Sequence, residues 1–234
     1  MPVLAYILTA LGAYLLGSIP FGFLVAKAKG IDIRSVGSGN IGATNAMRVL
    51  GKPAGIFVLL MDALKGYLAC ALMPPLVVLC VLPSICQMPP DFYDNTAHYL
   101  DTHAGFAMRL FVIAGIGAVM GHNYTCWLKF KGGKGIATTG GVYLALAPWA
   151  VLVALVVFLL AVLLTKYVSV GSISAAVALP ATVWIMSPHN LFLCIVTTAL
   201  GALAIYKHKS NIQRLMAGTE NRLGRKPPTA GGAK

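Results

Sequence analysis

The sequence predicts an all-α polytopic membrane helical bundle of seven transmembrane helices, one of them short, with the amino terminus outside and the carboxyl terminus cytoplasmic. Three observations carry this. Hydrophobic residues make up 58% of the 234-residue chain, charged residues only 10%, and mean hydropathy is +0.81. Apolar runs of roughly 17–25 residues, long enough to cross a bilayer as helices, follow one another along the chain. The polar residues between them gather in three glycine-rich or basic segments, at 37–45, 121–135 and 207–214.

The first run, 3–26, has no basic residues before it and no small-residue cleavage site, so it reads as a spanning helix and not a signal peptide. Lys27 and Lys29 follow it, which puts its far end in the cytoplasm. A second helix is expected over 53–82 and a third over 105–120. Between them the stretch 83–104 has no Lys or Arg but carries Asp91, Asp94 and Asp101, as an outward-facing insertion would. The next apolar run must be divided for the last basic segment to end inside. Pro148, a good first residue of a helix, marks the division. A short helix over 135–146 and a longer one over 149–165 result, followed by helices over 169–187 and 190–206. A single membrane domain then covers 1–221, and 222–234 forms a flexible basic tail.

The net charge of +12 suggests nucleic acid, but its placement does not. The cations cluster at membrane-facing loop positions with no interleaved aromatic platform for bases, so no nucleic-acid partner is expected. The five cysteines show no zinc or redox spacing. Cys80 and Cys86 lie close enough near the outer face to pair, or serve as small apolar residues. Cytoplasmic acids are limited to Asp32, Asp62 and Glu220, too few for a divalent-metal cluster, so no metal and no cofactor is expected.

The chemistry belongs to the three segments. Glycines let backbone N–H groups crowd around an anion, and Lys and Arg add full charge. In the first segment Gly39, Asn40 and Gly42 lead toward a helix carrying Thr44, Asn45 and Arg48. The hydroxyls of Ser38 and Thr44 are further donors, and the Arg48 guanidinium grips phosphate through two parallel bonds. The second segment sets Gly121, His122, Asn123, Lys129, Lys131 and Lys134 around Gly132 and Gly133. Its spacing is not that of a P-loop. A lysine at the start of a helix, as Lys134 is, sits poorly with the helix dipole unless an anion neutralises it. Lys129 and Lys131 read instead as lipid-headgroup contacts. In the third segment His208 and Asn211 share a helical face, and Arg214 follows three residues later.

Other polar residues fall within the helices. Asp62 and Lys65, at i and i+3, are placed to pair. Arg109 snorkels near the outer end of its helix. Either Ser169 or Ser172 can line the cytoplasmic cavity, and Ser172 is the candidate taken here. No His and Asp stand five positions apart, as in soluble-type glycerolipid acyltransferases, and no nucleophile elbow is present.

These residues bring a family into view. The motifs GSIPFG, VGSGNIGATN, DALKG, GHNY with FKGGKGIAT, and KHKSNIQRLMAGTE, in this order across about residues 14–221, resemble the bacterial acyl-phosphate:glycerol-3-phosphate acyltransferases. The resemblance implies transfer of a fatty acyl group from acyl phosphate to glycerol 3-phosphate, giving lysophosphatidic acid and phosphate, at the cytoplasmic face of a bacterial inner membrane. It implies catalytic roles for Ser38, Lys134, His208 and Asn211. Substrate binding falls to Gly39, Asn40, Gly42, Thr44, Asn45, Arg48, Gly121, His122, Gly132, Gly133, Ser172, Arg214 and Glu220. Thr44, Asn45 and the backbone at 121–122 are expected to cradle the acyl-phosphate head. Ser38, Arg48, Lys134, His208 and Asn211 are expected to hold glycerol 3-phosphate.

The general base is either His208 or a phosphate oxygen of a substrate. Membrane lipids and a soluble acyl-phosphate-producing enzyme are the implied partners. Two departures from the family pattern stand out: Thr125 occupies a usual proline position, and the 83–104 insertion is long. An organic-phosphate transporter and a lipid-binding scaffold are the competing readings.

Overall fold

The computed structural model describes residues 2–81 and 104–224. Whether Cys80 and Cys86 pair, the insertion up to residue 103 and the tail from 225 lie outside the described residues. The described part is helical: α1 (Pro2–Gly17), α2 (Phe21–Lys27), α3 (Ala43–Leu50), α4 (Lys52–Leu76), α5 (Ala104–Asn123), α6 (Ile136–Leu146), α7 (Pro148–Thr165), α8 (Val168–Met186), α9 (Leu191–Lys207) and α10 (Lys209–Met216). By length and composition five spans qualify as membrane-crossing, and a sixth does if α9 and α10, bent by 52°, count as one. With 11 residues, α6 is about 16 Å long, roughly half of a hydrocarbon core.

Most helix limits fall where the apolar runs and Pro148 place them, with instructive exceptions. The first run is one span but two helices, broken at 18–20 where Pro20 has no N–H to continue the ladder. The third helix runs through Asn123, so His122 sits on a helix and not in a loop. Pro74 and Pro75 end α4 in a wide π-helical turn, Val77–Val81.

Packing is by close approach, as lipid requires. Helix α1 lies against α5, where a Cβ on Gly17 would stand 2.2 Å from the Ala118 carbonyl oxygen, and one on Gly121 the same distance from that of Tyr14. Helix α4 meets α6 through Gly66 and Gly141, where a Cβ would stand 2.2 Å from the Thr138 and 1.8 Å from the Ala63 carbonyl oxygen. The main core, including Val112, Val119, Val142, Tyr143, Leu179, Val183 and Leu193, joins α5, α6, α8 and α9. These contacts bring the three polar segments to one end of the bundle.

Candidate active site

Asn45 builds the first segment. Its side-chain amide donates to the carbonyls of Ile33, Val36 and Asn40 at 3.3, 3.1 and 2.9 Å. Its Oδ1 accepts the Ser38 N–H at 2.8 Å and approaches the Arg48 guanidinium at 3.4 Å. With residue exposure of 2%, Asn45 has its hydrogen-bonding groups engaged within the loop. Gly37 turns with φ of +62° directly over it, where a Cβ would lie 2.2 Å from Oδ1. The amides of Gly39 and Gly42 are also engaged, with Val36 O and with Asn40 Oδ1. What this segment offers outward is the side chains of Ser38, Thr44 and Arg48, all exposed.

The second segment is stitched onto the end of α5. The Gly132 N–H donates to Asn123 O at 3.2 Å, and the Gly133 N–H to His122 O at 3.0 Å. Their amides therefore hold the loop, and their missing side chains let it lie flat: a Cβ on Gly132 would stand 2.0 Å from the His122 carbonyl oxygen. Gly135, at φ +84°, then turns the chain into α6. The open N–H groups belong to the first turn of that helix, with Lys134 just ahead of its Gly135 cap. His122, expected among the substrate-binding groups, is buried behind Gly133 instead of lining the surface. Gly121 packs helix to helix, as described above. At Thr125 the backbone has φ of −63°, the value proline would impose, so the departure from the family pattern leaves φ unchanged. Its hydroxyl donates to Ser18 O at 2.6 Å, tying the segment to α1.

The third segment begins where the chain bends at His208. The imidazole Nδ1 lies 2.7 Å from Ala204 O, an acceptor only, so Nδ1 carries the proton and Nε2 is left as the free acceptor of the neutral ring. One helical turn on, Asn211 Oδ1 accepts the Lys134 ammonium, which joins the second and third segments directly. The Asn211 amide donates to Glu220 Oε1 at 2.8 Å, and Ser169 Oγ to the same oxygen at 3.2 Å. Arg214 Nε donates to Glu220 Oε2 at 2.7 Å. Glu220 is thus the hub of the segment. Ser169 makes the contact here, while the Ser172 hydroxyl donates to Val168 O within its own helix.

Electrostatics tie the first segment in as well. Burial, and then the nearby Arg214 and Arg48 charges, push the Lys134 ammonium down to about 8, against partial compensation from Glu220. His208 is pushed down to about 4, chiefly by burial, with Lys134 adding to the effect. Arg48, Lys134 and Arg214, one from each segment, share a single field with one carboxylate among them.

Beside Lys134 opens a cavity of about 340 Å³, lined by Asn40, Gly132 and Gly133 together with Tyr124, Tyr206, Lys207, Lys209 and Ser210. Lys207 is the residue that sequence reasoning passed over. Its ammonium donates to Asn123 O at 3.1 Å and stands 4.3 Å from the centre of the Tyr124 ring. A lysine ending a helix one residue before His208, with an aromatic two residues after His122, was the available signal. Among the described residues no cluster of three or more His, Cys, Asp or Glu is placed to hold a metal.

The glycerol-3-phosphate acyltransferase family model matches residues 7–218. A glycerol-3-phosphate acyltransferase of Geotalea daltonii is 42% identical over 92% of this chain and 96% of its own length. One of Geobacter metallireducens is 48% identical, covering 94% of this chain and 98% of its own. Among solved structures, PlsY, an integral membrane glycerol 3-phosphate acyltransferase in its glycerol 3-phosphate form, superposes with a TM-score of 0.76 at 35% identity, covering 94% of this chain and 96% of that one. The lysophosphatidic acid form matches with a TM-score of 0.73 at 34% identity, covering 95% of both chains.

Proposed function

The chain belongs to the glycerol-3-phosphate acyltransferase family, and on that premise we propose that it moves a fatty acyl group from an acyl phosphate to the sn-1 hydroxyl of glycerol 3-phosphate. The products are lysophosphatidic acid and inorganic phosphate, as in the first step of phospholipid synthesis. The observation that carries this reading is the meeting of Lys134 and Arg214 at Asn211 and Glu220, with Arg48 in the field of Lys134, next to a cavity that Lys207 and Lys209 also line. A reaction between two phosphate-bearing substrates needs two cationic neighbourhoods side by side, and this end of the bundle has them.

The chemistry asks little beyond that. Acyl phosphate is a mixed anhydride, so phosphate is already a good leaving group and no enzyme nucleophile is required. The glycerol 3-phosphate C1 oxygen attacks the acyl carbonyl carbon, and the carbonyl-to-phosphate C–O bond breaks. Holding the partners in line supplies roughly 7–11 kcal/mol of the barrier. Ser38, Arg48, Lys134 and Asn211 are the groups for glycerol 3-phosphate. Thr44 and the amides opening α6 suit the acyl-phosphate head.

The hydroxyl proton has two destinations. A base held near 4, as His208 is, matches neutral operation poorly, whereas a phosphate oxygen titrates near ~6. This supports the leaving phosphate as proton acceptor, with His208 Nε2 orienting the hydroxyl by accepting its hydrogen bond. The lysine-rich and arginine-rich end of the bundle faces the cytoplasm by the charge rule, and family membership supports a bacterial inner membrane as its location. A soluble enzyme that makes acyl phosphate would then deliver it from that side.

The test is turnover by the purified chain in lipid, given acyl phosphate and glycerol 3-phosphate. Lysophosphatidic acid and phosphate formed in equal amounts support the reading. Movement of glycerol 3-phosphate across sealed vesicles without acylation would replace it with a carrier.

A further inference from the structure

We propose that the buried Asp62–Lys65 pair is a positioning device for the anion site, fixing Gly133, and with it Lys134, through the His122 ring. The proposal deepens the acyltransferase reading and rests on it. Both residues lie on α4 and are 2% exposed, with Lys65 Nζ 2.7 Å from Asp62 Oδ1. The same ammonium donates to Ile19 O at 2.7 Å and stands 5.6 Å from the centre of the Phe21 ring, so it is pinned to the break between α1 and α2. On its other side Asp62 Oδ1 lies 3.5 Å from His122 Nδ1.

His122 in turn holds Gly133 from two directions. Its carbonyl accepts the Gly133 N–H at 3.0 Å. Its ring presses on the glycine itself, since a Cβ there would stand 2.1 Å from Nε2 and 2.8 Å from Cε1. A chain of contacts thus runs from the kinked first span through Lys65, Asp62 and His122 to Gly133, the residue before Lys134.

Stability does not explain why ions are placed there. A buried ion pair is commonly no better for folding than apolar side chains of the same size, and charge within a membrane helix is costly. Geometry does explain it: no apolar pair holds an imidazole edge-on at a fixed height beneath a glycine loop. Asp62 and Lys65 touch no substrate in this scheme. They set the distance between Lys134 and the Asn211–Glu220 cluster.

The experiment uses the full chain in lipid and inorganic phosphate as the probe. Replacing both ions at once, Asp62→Leu with Lys65→Leu, leaves no unpaired charge. The melting temperature should stay within a few degrees. The phosphate dissociation constant should rise at least tenfold, and KM for glycerol 3-phosphate should rise with it, while kcat falls less than threefold. Gly133→Ala displaces the ring from the opposite side and should also weaken phosphate.

If both perturbations act through His122, the combined variant binds no more weakly than the weaker of the two alone, a non-additivity that a double-mutant cycle reads directly. Wild-type phosphate affinity in the double-leucine chain, or losses that multiply, would overturn the proposal. Should that chain not fold, the milder pair Asp62→Val with Lys65→Met also removes the oxygen facing His122 and the ammonium on Ile19 O, and the same cycle with Gly133→Ala decides by the same outcomes. A wild-type chain that binds phosphate but never acylates glycerol 3-phosphate would strike the acyltransferase reading and leave the positioning result standing.

Discussion

Lys134 makes the affinity of the site for anions depend on pH in a calculable way. Burial and its cationic neighbours hold its ammonium at about 8 when no anion is present. An anion needs the charged form, so the apparent dissociation constant is the intrinsic one divided by the protonated fraction. That fraction is about 0.9 at pH 7, about 0.5 at pH 8 and about 0.1 at pH 9, so affinity should fall roughly tenfold between pH 7 and 9. The sign also fixes the proton traffic. A bound anion raises the Lys134 pKa, so binding takes protons up, about half a proton per anion at pH 8. His208, held near 4, is neutral throughout this window and adds no slope.

Calorimetric titration of the lipid-embedded chain with glycerol 3-phosphate, in two buffers of different ionisation enthalpy, reads both quantities. Lys134→Arg, which keeps its charge over the whole range, should flatten the profile whatever it does to the affinity itself. A dissociation constant unchanged from pH 7 to 9 in the wild type, or an undiminished slope in Lys134→Arg, would refute the reasoning.

Other outcomes follow from the geometry. Glu220→Ala removes the hydrogen-bonded partner of Arg214, Asn211 and Ser169, and truncating such a pair should lower kcat/KM by about 30-fold or more, or ~2 kcal/mol. Asn45→Ala takes away the three carbonyl contacts and the Ser38 anchor; at ~0.5–1.5 kcal/mol each, thermal unfolding should show a loss of about 2–6 kcal/mol. His208→Ala should raise KM for glycerol 3-phosphate while keeping measurable kcat. A loss of kcat of about 10²–10⁴ at unchanged KM would make it the general base.

Much of the fold was legible because lipid imposes long apolar runs and Pro148 marks a helix start. The break at 18–20 was less so, since GSIPFG keeps one apolar run that only Pro20 interrupts. Which of the candidate residues the fold gathers was legible in part. Lys134, Asn211, Arg214 and Glu220 do meet, and Arg48 lies within their field. Roles within it were harder to read, because hydrogen-bond partners of one residue come from sites far apart in sequence. Asn45 looks like an anion ligand beside Thr44, yet its amide is engaged by carbonyls up to 12 positions back.

The glycines tell the same story. Gly132 and Gly133 suggest amides offered to phosphate, but those amides close the loop on α5, and the missing side chain of Gly133 leaves room for the His122 ring. Ser169 and Ser172 stand three apart near the start of α8, and only the partner Glu220, some 50 residues on, separates them. Lys207 escaped notice because a basic residue at a helix end has an ordinary explanation in the helix dipole.

Direct transfer between two anions bound side by side is the claim on which the rest turns, and initial-rate kinetics test it most directly. With acyl phosphate and glycerol 3-phosphate varied together, the account predicts intersecting reciprocal plots and no phosphate burst until glycerol 3-phosphate is added. Parallel plots, or a stoichiometric burst from acyl phosphate alone leaving an acylated protein, would contradict it.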